Sequence, residues 1–408
     1  MAPLIASAAA LAVAGATGVA CAPAPEADTA PPVITAFAVD PPGPVHPGLA
    51  PGGFALLVSA NDEGSDRIDH SVAVTSVESG GVVRSLSLSG SSGATAAALW
   101  DLRDDTGDTV PPGQYEVSVA STDGYGNRSR EQRLVVSVIA TRDIARRAAG
   151  KSAKSHAVAV ASFGIRRAGR PAEEEAAKYV AKRLAEYGYE DVRLVEVPLK
   201  DGTTSRNVIA VRPGPSGEAP IVIVGAHLDS RADRGSPGGN DDASGVGVML
   251  EVARVMHDVP TSHEIRFVGF GAEEIYDGHP DHHHEGSRSY AASLSDEEMA
   301  RGIQMVNLDM VGVGDEMRIG TQRKATKSYA EFHLATARAL GYTASFKSYG
   351  TGSDHEPFVK LGIPVVVYDR GPDPHYHTPR DTAARLDVVA LRETARSVIA
   401  TLVEQSGR

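Results

Sequence analysis

Runs of apolar β-branched residues ending in polar loops set the rhythm of the second half of this chain. The clearest is 221–224, Ile-Val-Ile-Val, which leads through Gly225 and Ala226 into His227-Leu228-Asp229. A short continuous apolar run bounded by glycine reads as a buried strand. Similar runs lie at 265–270, 303–308 and 364–368, and two more strands are expected at 192–197 and 207–212. Between them apolar residues recur at helical spacing over 243–257, 325–340 and 386–404. A further helix begins at Pro171, a favoured first helical residue. Glu173, Glu174 and Glu175 suit its N-terminal dipole; Ala176, Val180, Leu184 and Tyr187 form one face, and Gly188 stops it. Strand–helix alternation of this kind predicts an α/β domain over 157–408, a three-layer α/β/α sandwich with a mostly parallel central sheet.

The texture upstream is different. Short β-rich runs at 33–39, 53–60, 70–77, 82–88, 114–121 and 133–139 are separated by Pro, Gly, Asn and Asp. That spacing predicts an all-β sandwich over 33–140. Residues 100–105, 110–115 and 123–127 resemble the last strands of bacterial Ig-like modules of the flagellar-hook-cap type. The resemblance implies a spacer or docking domain, and no cluster of His, Cys or paired carboxylates marks chemistry there. Residues 141–156, rich in Arg, Lys, Ala and Ser, read as a connector.

Composition narrows the context. The chain has 408 residues, 42% of them apolar, and a formal net charge of −12. That charge argues against nucleic acid and anionic membrane surfaces as partners. The first twenty residues are almost wholly small and apolar, like the core of an export signal. The single cysteine, Cys21, follows Gly18-Val19-Ala20 and excludes an internal disulfide. The arrangement resembles a bacterial lipoprotein signal over 1–21, followed by a Pro/Ala linker at 22–32. It departs from that pattern in lacking any Lys or Arg before Arg67 and in carrying Gly18 where a larger aliphatic residue is usual. The expectation is an exported bacterial protein: periplasmic, extracellular, or held to the outer membrane by a lipid on Cys21, the one membrane attachment foreseen.

The chemistry gathers where strands end. In open α/β sheets, sites form at the carboxyl ends of the strands. There lie His227, Asp241, Glu273, Glu274, Asp309 and His377. His227 and Asp229 are two apart, so their side chains share a face. Two His and three carboxylates can hold two zinc ions about 4 Å apart with one carboxylate bridging. Neighbouring carboxylates would otherwise repel, and cations compensate them. Zinc lowers the pKa of bound water to roughly 7, and a further unligated carboxylate can take its proton. The adjacent Glu273 and Glu274 could supply one base and one ligand.

GAHLDS, GGNDDASG, GAEE, NLDMVG, GSDHEPF and YHTPRDT occur in the order and rough spacing of the zinc aminopeptidases of peptidase family M28. The resemblance covers about residues 155–405. It implies that His227 and Asp309 hold one zinc, that Glu274 and His377 hold the other, and that Asp241 bridges them. It makes Glu273 the general base, and Asp229 the partner that orients the His227 imidazole. Tyr376 matches a tyrosine whose hydroxyl helps stabilise the oxyanion. The implied substrates are peptides with a free N-terminus. Carboxypeptidases and glutaminyl cyclases share the scaffold, the cyclases with a single zinc, and inert receptor relatives lose ligands that this chain keeps.

Several neighbours have other readings. Asp242 is expected to cap helix 243–257 rather than ligate. Asp354 and His355 are expected to shape the pocket, His375 to lie on its rim, and Asp381 to fix the last loop. The chain departs from the family at 277–285, Asp-Gly-His-Pro-Asp-His-His-His-Glu, where a short apolar stretch is usual. A His-rich tract can bind metal or rim the pocket, but a solvated, flexible loop is the favoured expectation.

Overall fold

The computed structural model describes residues 28–42, 45–47 and 53–406. The apolar leader at 1–21, Cys21 and the first part of the 22–32 linker lie outside the described residues. Among those described, no helix is long and apolar enough to cross a membrane.

The first unit is all-β. Its strands are β1 (Val33–Asp40), β2 (Phe54–Asn61), β3 (Arg67–Ser76), β4 (Val82–Ser91), β5 (Thr95–Trp100), β6 (Gly113–Asp123) and β7 (Gln132–Val138). They form two antiparallel sheets, ordered β1-β2-β5 and β4-β3-β6-β7. Alternate residues of β2, Phe54, Leu56, Val58 and Ala60, point into one apolar cluster shared with Val72, Val117 and Val119 of the facing sheet. β5 was not expected from the sequence, because Ala96, Ala97 and Ala98 carry little β signal. Pairing with β2 decides its conformation, from Thr95 opposite Ser59 to Trp100 opposite Phe54.

The second unit contains α1 (Thr141–Ala145), α2 (Gly150–Ala161), α3 (Pro171–Glu186), β8 (Asp191–Pro198), β9 (Thr204–Arg212), β10 (Ile221–His227), α4 (Ala243–Met256) and β11 (Glu264–Phe270). It continues with α5 (Glu285–Ala292), α6 (Asp296–Ala300), β12 (Ile303–Leu308), β13 (Glu316–Gln322), α7 (Ser328–Ala339), β14 (Ala344–Tyr349), α8 (His355–Lys360), β15 (Val365–Gly371) and α9 (Val388–Ser406). The connector expected at 141–156 is instead α1 and the first half of α2. Ala153 and Ala157, four apart, make a small-residue face that is fully buried. It packs so closely on α4 that a Cβ on Gly247 would lie 2.3 Å from the Ala153 carbonyl oxygen. Composition hid this helix, since its Lys and Ser residues resemble a linker while its alanines do the packing.

One eight-stranded sheet, ordered β14-β13-β15-β12-β10-β11-β9-β8, organises the unit. The sheet is mixed. Its four central strands, β15, β12, β10 and β11, are mutually parallel, while β9 and β13 join them antiparallel and β8 pairs antiparallel with β9. The tight connection between β8 and β9 forces their antiparallel pairing, because a parallel pair needs a crossover. Every residue of β10 is buried. Val222, Val224 and Ala226 face the layer of α2, α3, α4, α7 and α9; Ile221 and Ile223 face the opposite layer with Tyr290 of α5 and Phe358 of α8. The three layers therefore follow from a strand that is apolar on both faces.

Candidate metal centre

Four parallel strands deliver the candidate ligands and the candidate base from their carboxyl ends. His227 is the last residue of β10, Asp309 follows β12, Glu273 and Glu274 follow β11, and His377 lies in the loop after β15. Asp241 comes from the loop that enters α4. Asp242, the next residue, is the N-cap of α4: its Oδ1 accepts from Gly245 N at 2.8 Å and from Met310 N at 3.2 Å, while Oδ2 accepts from His227 N at 3.2 Å. One capping carboxylate thus ties together the ends of β10 and β12 and the start of α4.

Asp241 sits between two imidazoles. Its Oδ1 is 3.0 Å from His227 Nε2 and its Oδ2 is 3.0 Å from His377 Nε2. His377 Nε2 is also 3.1 Å from Glu274 Oε1. Two groups of donors result, His227–Asp241–Asp309 and Asp241–Glu274–His377, each with its donor atoms within 4.8 Å of one another. Asp241 belongs to both. Ser353 Oγ donates to Asp309 Oδ2 at 2.7 Å and accepts from Asn307 Nδ2 at 2.8 Å, which fixes that carboxylate. Arg231 Nη1 donates to Glu274 Oε2 at 3.2 Å.

The supporting frame is tight. Asp229 is completely buried, and its two oxygens accept Glu273 N and Glu274 N, each at 3.0 Å. Its Oδ1 also lies 3.4 Å from His227 Nδ1. Asp229 is therefore beside the imidazole as expected, but its hydrogen bonds run to the Glu273–Glu274 backbone. Arg166, itself fully buried, donates to the carbonyls of Leu228, Pro237 and Gly238 and so shapes the loop that carries Asp229. Asp381 accepts Asn240 N at 2.7 Å and Asp241 N at 3.1 Å, so the last loop grips the Asp241 backbone. Ala272, Met310 and His377, each at or next to a candidate ligand or the candidate base, have left-handed φ values of 52°, 59° and 56°. Non-glycine residues held there cost of order 1–3 kcal/mol each and cluster at functional sites.

The electrostatics suit a bound cation. Burial, and then the neighbouring Asp241, raise Glu274 and push Asp309 up to about 6. Burial also raises Glu273 well above the usual carboxylate range. His377 resists burial and is lifted to about 9 by Asp241 and Glu274. Asp241 would be raised by burial, yet the flanking His227 and His377 hold it below its ordinary value. Asp241 Oδ2 and Glu274 Oε1 are buried with no hydrogen-bond donor. Buried carboxylate oxygens without donors, beside two imidazoles, are the surroundings a divalent cation satisfies. The residues present therefore fit a metal ion in each group.

A cavity of about 230 Å³ opens onto these residues, lined also by Tyr376, Pro280 and His283. Tyr376 is 49% exposed and its ring stacks on His377 at 3.6 Å. Burial first, and then the carboxylates of Asp241, Asp309, Glu274 and Glu273, raise its hydroxyl pKa, so it remains a donor. His375 stays out of both donor groups. Asp354 is fully buried in their vicinity, pushed up to about 7 by burial. The 277–285 tract divides in two. Residues 277–281 are exposed, in keeping with a solvated loop, but His284 at its end is 2% exposed and lies 3.1 Å from the Glu273 carboxylate. Sequence reasoning missed His284, Ser353, Arg231 and Arg166. Of these, His284 stood in the unusual His-rich tract and Ser353 in the quoted GSDHEPF motif, while Arg231 and Arg166 carried no signal.

The profile of peptidase family M28 matches residues 207–402. The chain is 35% identical to aminopeptidase YwaD of Bacillus subtilis over 212 residues, which are 49% of this chain and 45% of that protein. It therefore spans less than half the length of that relative. It is 31% identical to the alkaline phosphatase isozyme conversion protein of Escherichia coli over 243 residues, 50% of this chain and 67% of that one. Its fold is similar to that of BSAP, a zinc aminopeptidase from Bacillus subtilis, with a TM-score of 0.56 at 22% identity over 63% of this chain and 95% of that chain. It is also similar to the Porphyromonas gingivalis glutaminyl cyclase, with a TM-score of 0.54 at 26% identity over 64% and 99% of the two chains. The matched residues include every candidate ligand, from His227 to His377, and through them the chain belongs to peptidase family M28.

Proposed function

We propose that this protein is an exported dizinc aminopeptidase that removes N-terminal residues from peptides. The observation that carries the reading is the Asp241 carboxylate between His227 and His377, shared by two complete donor groups. His227, Asp241 and Asp309 would hold one zinc; Asp241, Glu274 and His377 would hold the other. Bound zinc supplies Lewis acidity toward the scissile carbonyl and lowers the pKa of water to roughly 7. Glu273, beside the donor groups and outside both, takes the proton of the attacking water and passes it to the leaving amine. The Tyr376 hydroxyl donates to the oxygen that gains negative charge. The acidic surroundings suit a substrate's free ammonium.

The small-residue leader at 1–21 supports export, and Cys21 is the candidate lipid attachment. The two antiparallel sheets ahead of the catalytic unit support an Ig-like spacer.

Likeness to a glutaminyl cyclase favours cyclisation as a second reading. The full five-residue ligand set weighs against it, since the cyclases use a single zinc. One experiment separates the readings: mass-spectrometric product analysis of a single peptide offered free, N-acetylated and C-amidated, with purified zinc-loaded protein. Stepwise N-terminal loss blocked by acetylation alone is expected. Loss from the C-terminus blocked by amidation would make it a carboxypeptidase, and pyroglutamate formation from an N-terminal glutamine a cyclase.

A further inference from the structure

The end of the His-rich tract is the most firmly held part of it. His284 N donates to Glu273 O at 2.8 Å, Glu285 N to Ala272 O at 2.9 Å and Gly286 N to Gly271 O at 3.0 Å, so three successive residues are laced onto the segment that carries Glu273. Asn207 clamps the same junction, donating to Gly286 O at 2.8 Å and accepting from Gly271 N at 3.0 Å. The two backbones approach so closely that a Cβ on Gly286 would lie 2.2 Å from Gly271 O. At the head of this lace His284 has a left-handed φ of 55°, an unfavourable state for a residue with a side chain.

That backbone state goes with an inward imidazole. His284 Nε2 lies 3.1 Å from Glu273 Oε1, and Nδ1 lies 3.5 Å from Glu356 Oε2 at the start of α8. Glu356 is itself anchored by Lys360 at 2.7 Å. A neutral imidazole carries one N–H; placed on Nε2 it faces the Glu273 carboxylate, from a ring whose backbone is fixed by the lace. A carboxylate on a flexible glutamate side chain must be held in one orientation to accept a proton efficiently.

We infer that His284 is a positioning residue for the general base: its ring holds the Glu273 carboxylate facing the space between the two donor groups. The inference rests on the hydrolase reading above. Through it the 277–285 tract, where a short apolar stretch is usual in the family it resembles, serves the reaction by supplying a polar prop.

The test compares His284→Phe, which keeps a ring but removes the donor, with His284→Gln, which keeps an N–H in reach of Glu273. Steady-state kinetics on an aminoacyl p-nitroanilide, zinc content by elemental analysis and crystal structures of the zinc-free proteins are measured beside wild type. In His284→Phe, kcat should fall about 10–100-fold, as is typical when a supporting partner is lost. KM and zinc content should stay near wild type, and the Glu273 carboxylate should be turned from its wild-type position. His284→Gln should recover most of kcat. Equal kcat in wild type and His284→Phe, or a loss explained wholly by zinc content or KM, overturns the inference and leaves the hydrolase reading intact. If His284→Phe fails to fold, His284→Gln and His284→Ala carry the same comparison. A zinc-loaded wild type that hydrolyses nothing overturns the hydrolase reading and this inference with it.

Discussion

Asp229 Oδ1 accepts the backbone N–H of Glu273 at 3.0 Å, and the other oxygen of the same carboxylate accepts that of Glu274. One buried acid thereby fixes the backbone from which both the proposed base and a proposed ligand project. Asp229→Asn would set an amide donor against one of these N–H groups. Zinc affinity should fall about 10–100-fold, the usual cost of losing an outer partner. Competitive chelator titration reads it. An unchanged affinity would mean that the backbone holds its course without Asp229.

Glu273 lies outside both donor groups, so its replacement should separate chemistry from metal binding. In Glu273→Gln we expect kcat to drop by about 10²–10⁴-fold, the range for a general base, with zinc content unchanged. Wild-type turnover in that variant would remove Glu273 from the mechanism.

Asp241 is shared, and the two histidines are not. Asp241→Ala should therefore deplete both zinc positions together, while His377→Ala should deplete chiefly one. Zinc-to-protein ratios after dialysis against dilute chelator decide this. Equal losses in the two variants would count against a bridging carboxylate.

His333 of α7 offers a pH test away from the metal centre. It is fully buried, its Nδ1 is 2.8 Å from the Tyr368 hydroxyl, and burial lowers its pKa to about 3 from the ordinary 6.5. Below the ordinary value the unfolded chain takes up a proton that the native protein refuses, so stability is lost as pH falls from 6.5 toward 3. The slope is about 1.4 kcal/mol per pH unit at full effect. In His333→Asn this contribution disappears. The stability gap between wild type and variant should narrow by ~2 kcal/mol between pH 6.5 and 5. Urea unfolding at the two pH values measures it; a constant gap would show that His333 titrates normally.

The parts of the site legible in the sequence are local ones. An apolar run such as 221–224 that breaks at His227 reports a strand end and a proposed ligand within a few residues. What was not legible depends on contacts distant along the chain. The grip of Asp381 on Asp241 N joins loops 140 residues apart, and no periodicity records it. α2 was hidden because small residues pack helices closely without looking hydrophobic. β5 was hidden because its alanines take their conformation from β2. His284 stood in a tract whose composition suggested solvent, and its backbone lacing to residues 271–273 decided otherwise.

The five proposed ligands enter the chain at 227, 241, 274, 309 and 377, each on a separate stretch brought together by the parallel strands at the centre of the sheet. No fragment that ends before residue 377 carries the whole set. During synthesis, then, the emerging polypeptide lacks part of the proposed ligand set. On the proposed hydrolase reading, the fold acts as its own safety catch, released when the loop after β15 comes to rest against Asp241, and the order of residues along the gene product sets the moment at which the site is complete.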